Sequence, residues 1–261
     1  MRLGSFIALA SAVAGTLAHT ELYSVWVNNV DQGNGRGVYI RSPPSNYPLK
    51  DLTSPNLNCN VNGDKAVPRS VSVKYGDKLT FEWGHNARGD DIIDASHKGP
   101  ILVYMAPASG KNWTKVFEAN FNGESWATER LRDARGQHSI FIPDVPAGDY
   151  LFRAEVIALH EADAYYTNNP ARGVQLFPSC VQVRVTSNGK KALPAGGAVF
   201  PGTYKNSSPG IFFNLYKGGP PHASYYSPGP VTWYEAKLKD GYIGQVGTPR
   251  NKRFVGAPPA S

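Results

Sequence analysis

Strand-like runs recur along this chain: Leu22–Val27, Ser70–Lys74, Lys78–Trp83, Ile101–Ala106, His138–Ile142, Asp149–Ala158 and Cys180–Val185. Several alternate apolar and polar residues. Successive side chains of a strand point to opposite faces, so this alternation marks half-buried strands. Turn formers separate the runs: Asn62-Gly63, Tyr75-Gly76-Asp77, Pro146-Ala147-Gly148-Asp149 and Ser187-Asn188-Gly189. With 27 Gly, 21 Pro and only 18% charged residues, the composition favours short strands and structured loops over long helices. The pattern predicts an all-β protein, a β-sandwich of immunoglobulin-like or fibronectin type with long loops. Short helical insertions are expected near Trp126–Arg132 and Asp163–Asn168.

The first eighteen residues read as a secretory signal rather than as part of the fold. Arg2 gives a positive start, Phe6–Leu17 is apolar and small, and Thr16 and Ala18 place small residues before a cut at His19. The apolar stretch is too short for a membrane anchor. The expected organisation is therefore a leader (1–18), one catalytic domain (19–234) and a C-terminal tail (235–261). The tail, rich in Gly, Pro and basic residues, is expected to be poorly ordered.

Cys59 and Cys180 are the only cysteines. In an oxidising compartment such a pair is expected to bridge. Their spacing of 121 positions excludes a Cys-x-x-Cys metal site. The formal charge of +7 falls by one without Arg2, and the basic residues are scattered, with no nucleic-acid motif. The expectation is a secreted, extracellular monomer that contacts neither nucleic acid nor membrane.

The histidines carry the chemistry. A His at the first position of a mature chain presents its α-amine and ring Nδ1 to one ion. The amine pKa is near 8, so losing its proton to a metal is easy at neutral pH. A second imidazole completes a nitrogen plane that suits Cu(II). The supporting segments come in order: Asp90-Asp91-Ile92-Ile93-Asp94-Ala95-Ser96-His97-Lys98-Gly99-Pro100, His160-Glu161-Ala162-Asp163, Gln175-Leu176-Phe177-Pro178-Ser179-Cys180, Ser208-Pro209-Gly210-Ile211 and Tyr225 to Trp233.

This ensemble resembles the fungal lytic polysaccharide monooxygenases of auxiliary activity family 9, over nearly the whole mature chain. The resemblance implies a copper-dependent enzyme that cleaves cellulose or another β-1,4-glucan oxidatively, drawing on an external electron donor and O2 or H2O2. It implies one copper ion per chain, held by a histidine brace of His19 and His97, with His160 and Gln175 beside the open metal face. Where the family pattern is Gln-x-Tyr, this chain has Phe177, which offers no axial hydroxyl. Tyr225 matches a sugar-stacking position, and Asn46, His85, Asn86, Glu161 and Arg172 match polar sugar contacts. On the residues alone, Glu161 and Arg172 could equally pair with each other, and His85 and Asn86 could cap a loop.

Two rival readings remain at this level. Asp90, Asp91, Asp94, Glu161 and Asp163 supply carboxylates for a glycoside hydrolase, although the Asp90–Asp94 group reads better as a scaffold leading to His97. Phe177 alone favours a non-catalytic copper- or carbohydrate-binding protein. Asn112-Trp113-Thr114 and Asn206-Ser207-Ser208 are glycosylation sequons.

Overall fold

The computed structural model describes residues 19–217, 224–250 and 254; the leader and His222 lie outside them. Two sheets form a sandwich. The first runs β11 (Tyr242–Ile243), β8 (Gln137–Phe141), β5 (Lys78–Gly84), β1 (Glu21–Val27) and β2 (Val30–Asp31), all antiparallel. The second runs β3 (Ile40–Arg41), β10 (Gln175–Val185), β9 (Gly148–Ala158), β6 (Ile101–Pro107) and β7 (Thr114–Ala119). A further strand, β4 (Val71–Val73), lies parallel to β10.

Alternate residues of the two sheets meet in the core: Leu79 and Phe81 on β5, Val103 and Met105 on β6, Phe152, Ala154 and Val156 on β9, Val181 and Val183 on β10. The outer face of the second sheet is buried as well. Leu102, Tyr104, Leu151 and Leu176 pack there against Trp113, Trp126, Phe200 and Tyr204 from the long loops. Burial on both faces explains why β6 reads as a continuous apolar run. It also encloses an ion pair: Arg153 grips Glu155 at 2.8 and 2.6 Å, with its guanidinium 4.1 Å over the Phe200 ring. Both side chains are fully buried, so removing one would leave an unpaired interior charge.

The cysteines form the expected bridge, with Cα atoms 5.2 Å apart. It ties the loop after the short 3-10 turn Pro55–Leu57 to β10. The closed loop of 121 residues corresponds to roughly 4–5 kcal/mol in the chain-entropy account.

Three expectations need correction. The helix α1 (Ala127–Asp133) is present, but 163–168 forms turns, with Asn168 and Asn169 both donating to the Tyr165 carbonyl. The chain must reverse there to bring β10 back along β9, which leaves no room for a bond ladder. Strand β10 begins at Gln175 rather than Cys180, because the run to Pro178 pairs fully with β9 despite the proline. The segment from 235 is not loose as far as Arg250. It contributes the end of α2 (Tyr234–Lys237) and β11, which pairs with β8. Gln137 Oε1 then accepts from Val246 N at 2.6 Å, its Nε2 donates to Gly247 O at 2.8 Å, and Arg88 donates to Arg250 O at 2.8 Å. Composition misleads here because these bonds go to distant side chains and leave no local periodicity.

Candidate metal centre

His19 directly precedes β1, whose Glu21 pairs with Gly84 on β5. His97 closes a loop set by its own carboxylates. Asp90 accepts from the amides of His85, Asn86, Ala87 and Ile92, and Asp94 accepts from Ser96 N while its carbonyl takes His97 N. Two residues on, the chain touches the end of β9: Leu159 N donates to Lys98 O and Ile157 N to Pro100 O. A side chain at Gly99 would lie 2.0 Å from the Ile157 carbonyl, so only glycine permits this approach. It brings the His97 ring to 4.1 Å from that of His160. The β9–β10 register sets Ala158 against Gln175, which places Gln175 next to His160.

The imidazoles of His19 and His97 stand 6.2 Å apart, centroid to centroid, at 72°. Two ring nitrogens each about 2 Å from a shared ion can hold their centroids up to roughly 6 Å apart, and the observed spacing lies at that limit. His19 Nδ1 and His97 Nε2 are both buried without a hydrogen-bond partner. The other nitrogen of His97 is close to Ser96 Oγ, 3.2 Å away, which leaves Nε2 for a ligand. Burial, then the neighbouring His160, lowers His97 to about 4, and burial also lowers His19. Both rings therefore keep a free lone pair at neutral pH, as metal ligation requires. Among the described residues no group of three or more His, Cys, Asp or Glu side chains could hold a metal. A histidine brace would not need one, because its third ligand would be the main-chain amine that processing before His19 would free. The donor set fits copper.

Phe177 is buried 6.1 Å from the His19 ring and 6.3 Å from the His97 ring. His160 Nδ1 and Gln175 Oε1 are two further buried atoms without partners. The centre thus holds orphaned polar atoms of both pairs, and buried polar groups are rarely left so unless something else meets them.

The polar residues matched to sugar contacts fall into two groups. Asn46 Nδ2 donates to His85 O at 2.9 Å and lies 3.4 Å from Asn86 Oδ1, so these three assemble beside His19. Glu161 and Arg172 do not pair with each other. Glu161 Oε2 takes Lys50 Nζ and Gln175 Nε2, both at 2.9 Å, whereas Arg172 binds Asp163. Tyr225 is not a surface platform: it is 6% exposed, its hydroxyl donates to Gly210 O, and its ring packs edge-on against Trp126 and Phe213. Among the described residues, Tyr47 is an exposed ring beside the centre, 52% exposed and 5.0 Å from His19. Sequence reasoning missed Tyr47 and Lys50; Tyr47 was signalled only by following Asn46, and Lys50, four positions after Asn46, by nothing local. Asn112 is exposed and Asn206 half-buried.

The sequence profile of Auxiliary Activity family 9 (formerly GH61) matches residues 19–226, starting on His19 itself. The chain belongs to this family. It is 51% identical to an AA9 family lytic polysaccharide monooxygenase A of Phanerochaete carnosa, over 95% of this chain and 94% of that one. A Schizophyllum commune AA9 family lytic polysaccharide monooxygenase A is 52% identical, over 90% of this chain and 98% of its own. Among solved structures, CvAA9A superposes with a TM-score of 0.78 at 46% identity, covering 82% of this chain and 98% of that one. The AA9 chain is thus a lytic polysaccharide monooxygenase, of a family of secreted, copper-dependent fungal enzymes that cleave polysaccharides oxidatively. The hydrolase reading falls with it. Burial pulls the Asp90 and Glu161 carboxyls up, but hydrogen bonds outweigh it, and Asp94 is lowered by its bonds to Ser96. All three sit below the ordinary range, the opposite of what a general acid needs.

Proposed function

We propose that the mature chain begins at His19, acts as an extracellular monomer, and binds one copper ion through His19 Nδ1, its α-amine and His97 Nε2. Its substrate is β-1,4-glucan: cellulose, cello-oligosaccharides and related hemicellulose chains. The observation that carries this reading is the pair of orphaned ring nitrogens on imidazoles 6.2 Å apart, with the buried Phe177 ring 6.1 and 6.3 Å from them.

Copper held there supplies one-electron chemistry towards O2 or H2O2, with electrons from an external donor. The protein supplies the surroundings. Phe177, buried close to both imidazoles, would exclude water from the inner side of the site and offers no ligand atom. His160 and Gln175 present unpaired polar atoms that can orient a small oxygen species. Asn46, His85 and Asn86 provide hydroxyl partners beside Tyr47, whose exposed ring can take a sugar face. Glu161, bonded to Gln175, and Arg172, whose charge reaches His160, are the remaining polar contacts for the sugar.

The test incubates processed protein with cellulose or soluble cello-oligosaccharides, copper, ascorbate and peroxide, and resolves products by mass spectrometry. Oxidised oligosaccharides that require both copper and reductant are expected. Tight copper binding with no oxidised product would instead favour a non-catalytic binding protein.

A further inference from the structure

Lys50 has no part in the metal centre, yet it lies opposite Gln175. The cause is local. Leu49 and Leu176 form an isolated antiparallel bridge, with Leu49 N donating to Leu176 O at 2.8 Å and Leu176 N to Leu49 O at 2.9 Å. In an antiparallel pair, the residue after one partner faces the residue before the other. Lys50 therefore meets Gln175 across the bridge. Its ammonium donates to Ala171 O and to Glu161 Oε2, both at 2.9 Å. This fixes the loop between β9 and β10 and sets the carboxylate beside the amide.

An ionised carboxylate accepts hydrogen bonds and cannot donate them. Glu161 Oε2 lies 2.9 Å from the Gln175 amide, so that end of the amide must be its NH2. The opposite orientation would set two acceptors against each other. The second N–H of the same nitrogen is 3.3 Å from His160 Nε2, which must then be the acceptor. A neutral histidine accepting at Nε2 carries its proton on Nδ1. The chain runs from an ammonium to a carboxylate, an amide and an imidazole, and each member has one permitted orientation. At its end, His160 Nδ1 is a buried donor and Gln175 Oε1 a buried acceptor, neither with a partner.

We propose that Lys50 is a positioning residue: through Glu161 it locks the Gln175 amide with Oε1 free, and thereby holds His160 in the Nδ1–H form. The centre then offers one donor and one acceptor of fixed sense to a small oxygen species. The role assigned to these two free atoms rests on the copper reading above; the lock itself is a property of the metal-free chain.

The test uses 15N-histidine NMR on metal-free protein processed to His19, with calorimetric copper titration in parallel. Wild type should show His160 as the Nδ1–H tautomer at neutral pH. Glu161→Gln introduces a side chain that can donate, which allows the Gln175 amide to turn. Lys50→Met keeps the stem but removes the ammonium, which frees the carboxylate. Both should mix the two His160 tautomers, and Lys50→Arg should restore the wild-type form. Both should also lower oxidised-product yield about tenfold with copper affinity unchanged. A purely structural role for Lys50 would move the thermal midpoint and not the tautomer. A wild-type His160 protonated at Nε2, or an unchanged His160 resonance in Lys50→Met or Glu161→Gln, overturns the inference. Failure of wild type to bind copper overturns the brace reading instead, whatever the tautomer.

Discussion

The Phe177 ring sits 6.1 Å from that of His19, fully within the protein, and nearly the same distance from His97. An axial contact is long and weak beside three equatorial nitrogens, so its loss tunes the metal more than it weakens binding. Phe177→Tyr adds one hydroxyl to this buried ring, where it would be the distant contact of a copper ion held by the two histidines. It should shift the Cu(II) paramagnetic resonance spectrum while copper affinity changes by less than about tenfold. Both forms should yield oxidised oligosaccharides. Activity confined to Phe177→Tyr would refute the assignment of a working centre to the natural residue.

Copper capture should depend on processing before His19. An extension turns the amine into an amide, which lacks a basic lone pair, and leaves only two imidazoles on the ion. Calorimetry should show tight binding for the processed chain and binding weakened by roughly 100-fold or more for a tagged one. Equal affinities would eliminate the brace.

His160 and Gln175 should serve chemistry rather than capture. Neither side chain holds an orphaned nitrogen paired across the 6.2 Å gap of the brace, yet both leave a buried polar atom open. His160→Ala or Gln175→Ala should lower oxidised-product yield about 10- to 100-fold with copper affinity nearly intact. Loss of copper binding in a folded variant would make the substituted residue a ligand.

His138 makes stability depend on pH. It is wholly buried between Phe81 and Phe117, accepts a hydrogen bond from Trp83 Nε1 at 3.0 Å, and burial lowers it to about 3. Above the ordinary histidine value both folded and unfolded chains are neutral there, and its full contribution is present. As pH falls from about 6.5 towards 3, only the unfolded chain takes the proton, so stability is lost by about 1.4 kcal/mol per pH unit. Chemical denaturation of metal-free protein should show about 2 kcal/mol less stability at pH 5 than at pH 7 from this residue. His138→Gln should remove that share of the slope, although it lowers stability overall. An unaltered slope would show that His138 is already protonated in the fold.

Part of this molecule was written in local pattern. Alternation and turn residues suffice for most of the sandwich strands, because each reports only which face of a strand is wet. The two histidines of the proposed brace stood out in the sequence too, His19 because it follows the leader-like run and His97 because it follows an aspartate-rich loop whose carboxylates shape the backbone. Cys59 and Cys180 could pair only with each other.

The remainder was decided by contacts between segments far apart in the chain. Tyr225 occupies a position that stacks on sugar by resemblance, but here the loops fold its ring inwards against Trp126 and Phe213, and Tyr47 takes the exposed place. Lys50 shows no motif, and becomes informative only because the Leu49–Leu176 bridge carries it to Glu161 across 111 residues of sequence. The C-terminal segment has the composition of a loose tail and is held by Gln137 on β8 and Arg88 in the turn after β5, which supply hydrogen bonds from far along the chain. Sequence determines what each residue can donate, accept or bury; which partner it meets is settled by the closing of the two sheets, because only a completed fold removes the water that would otherwise satisfy every one of those groups.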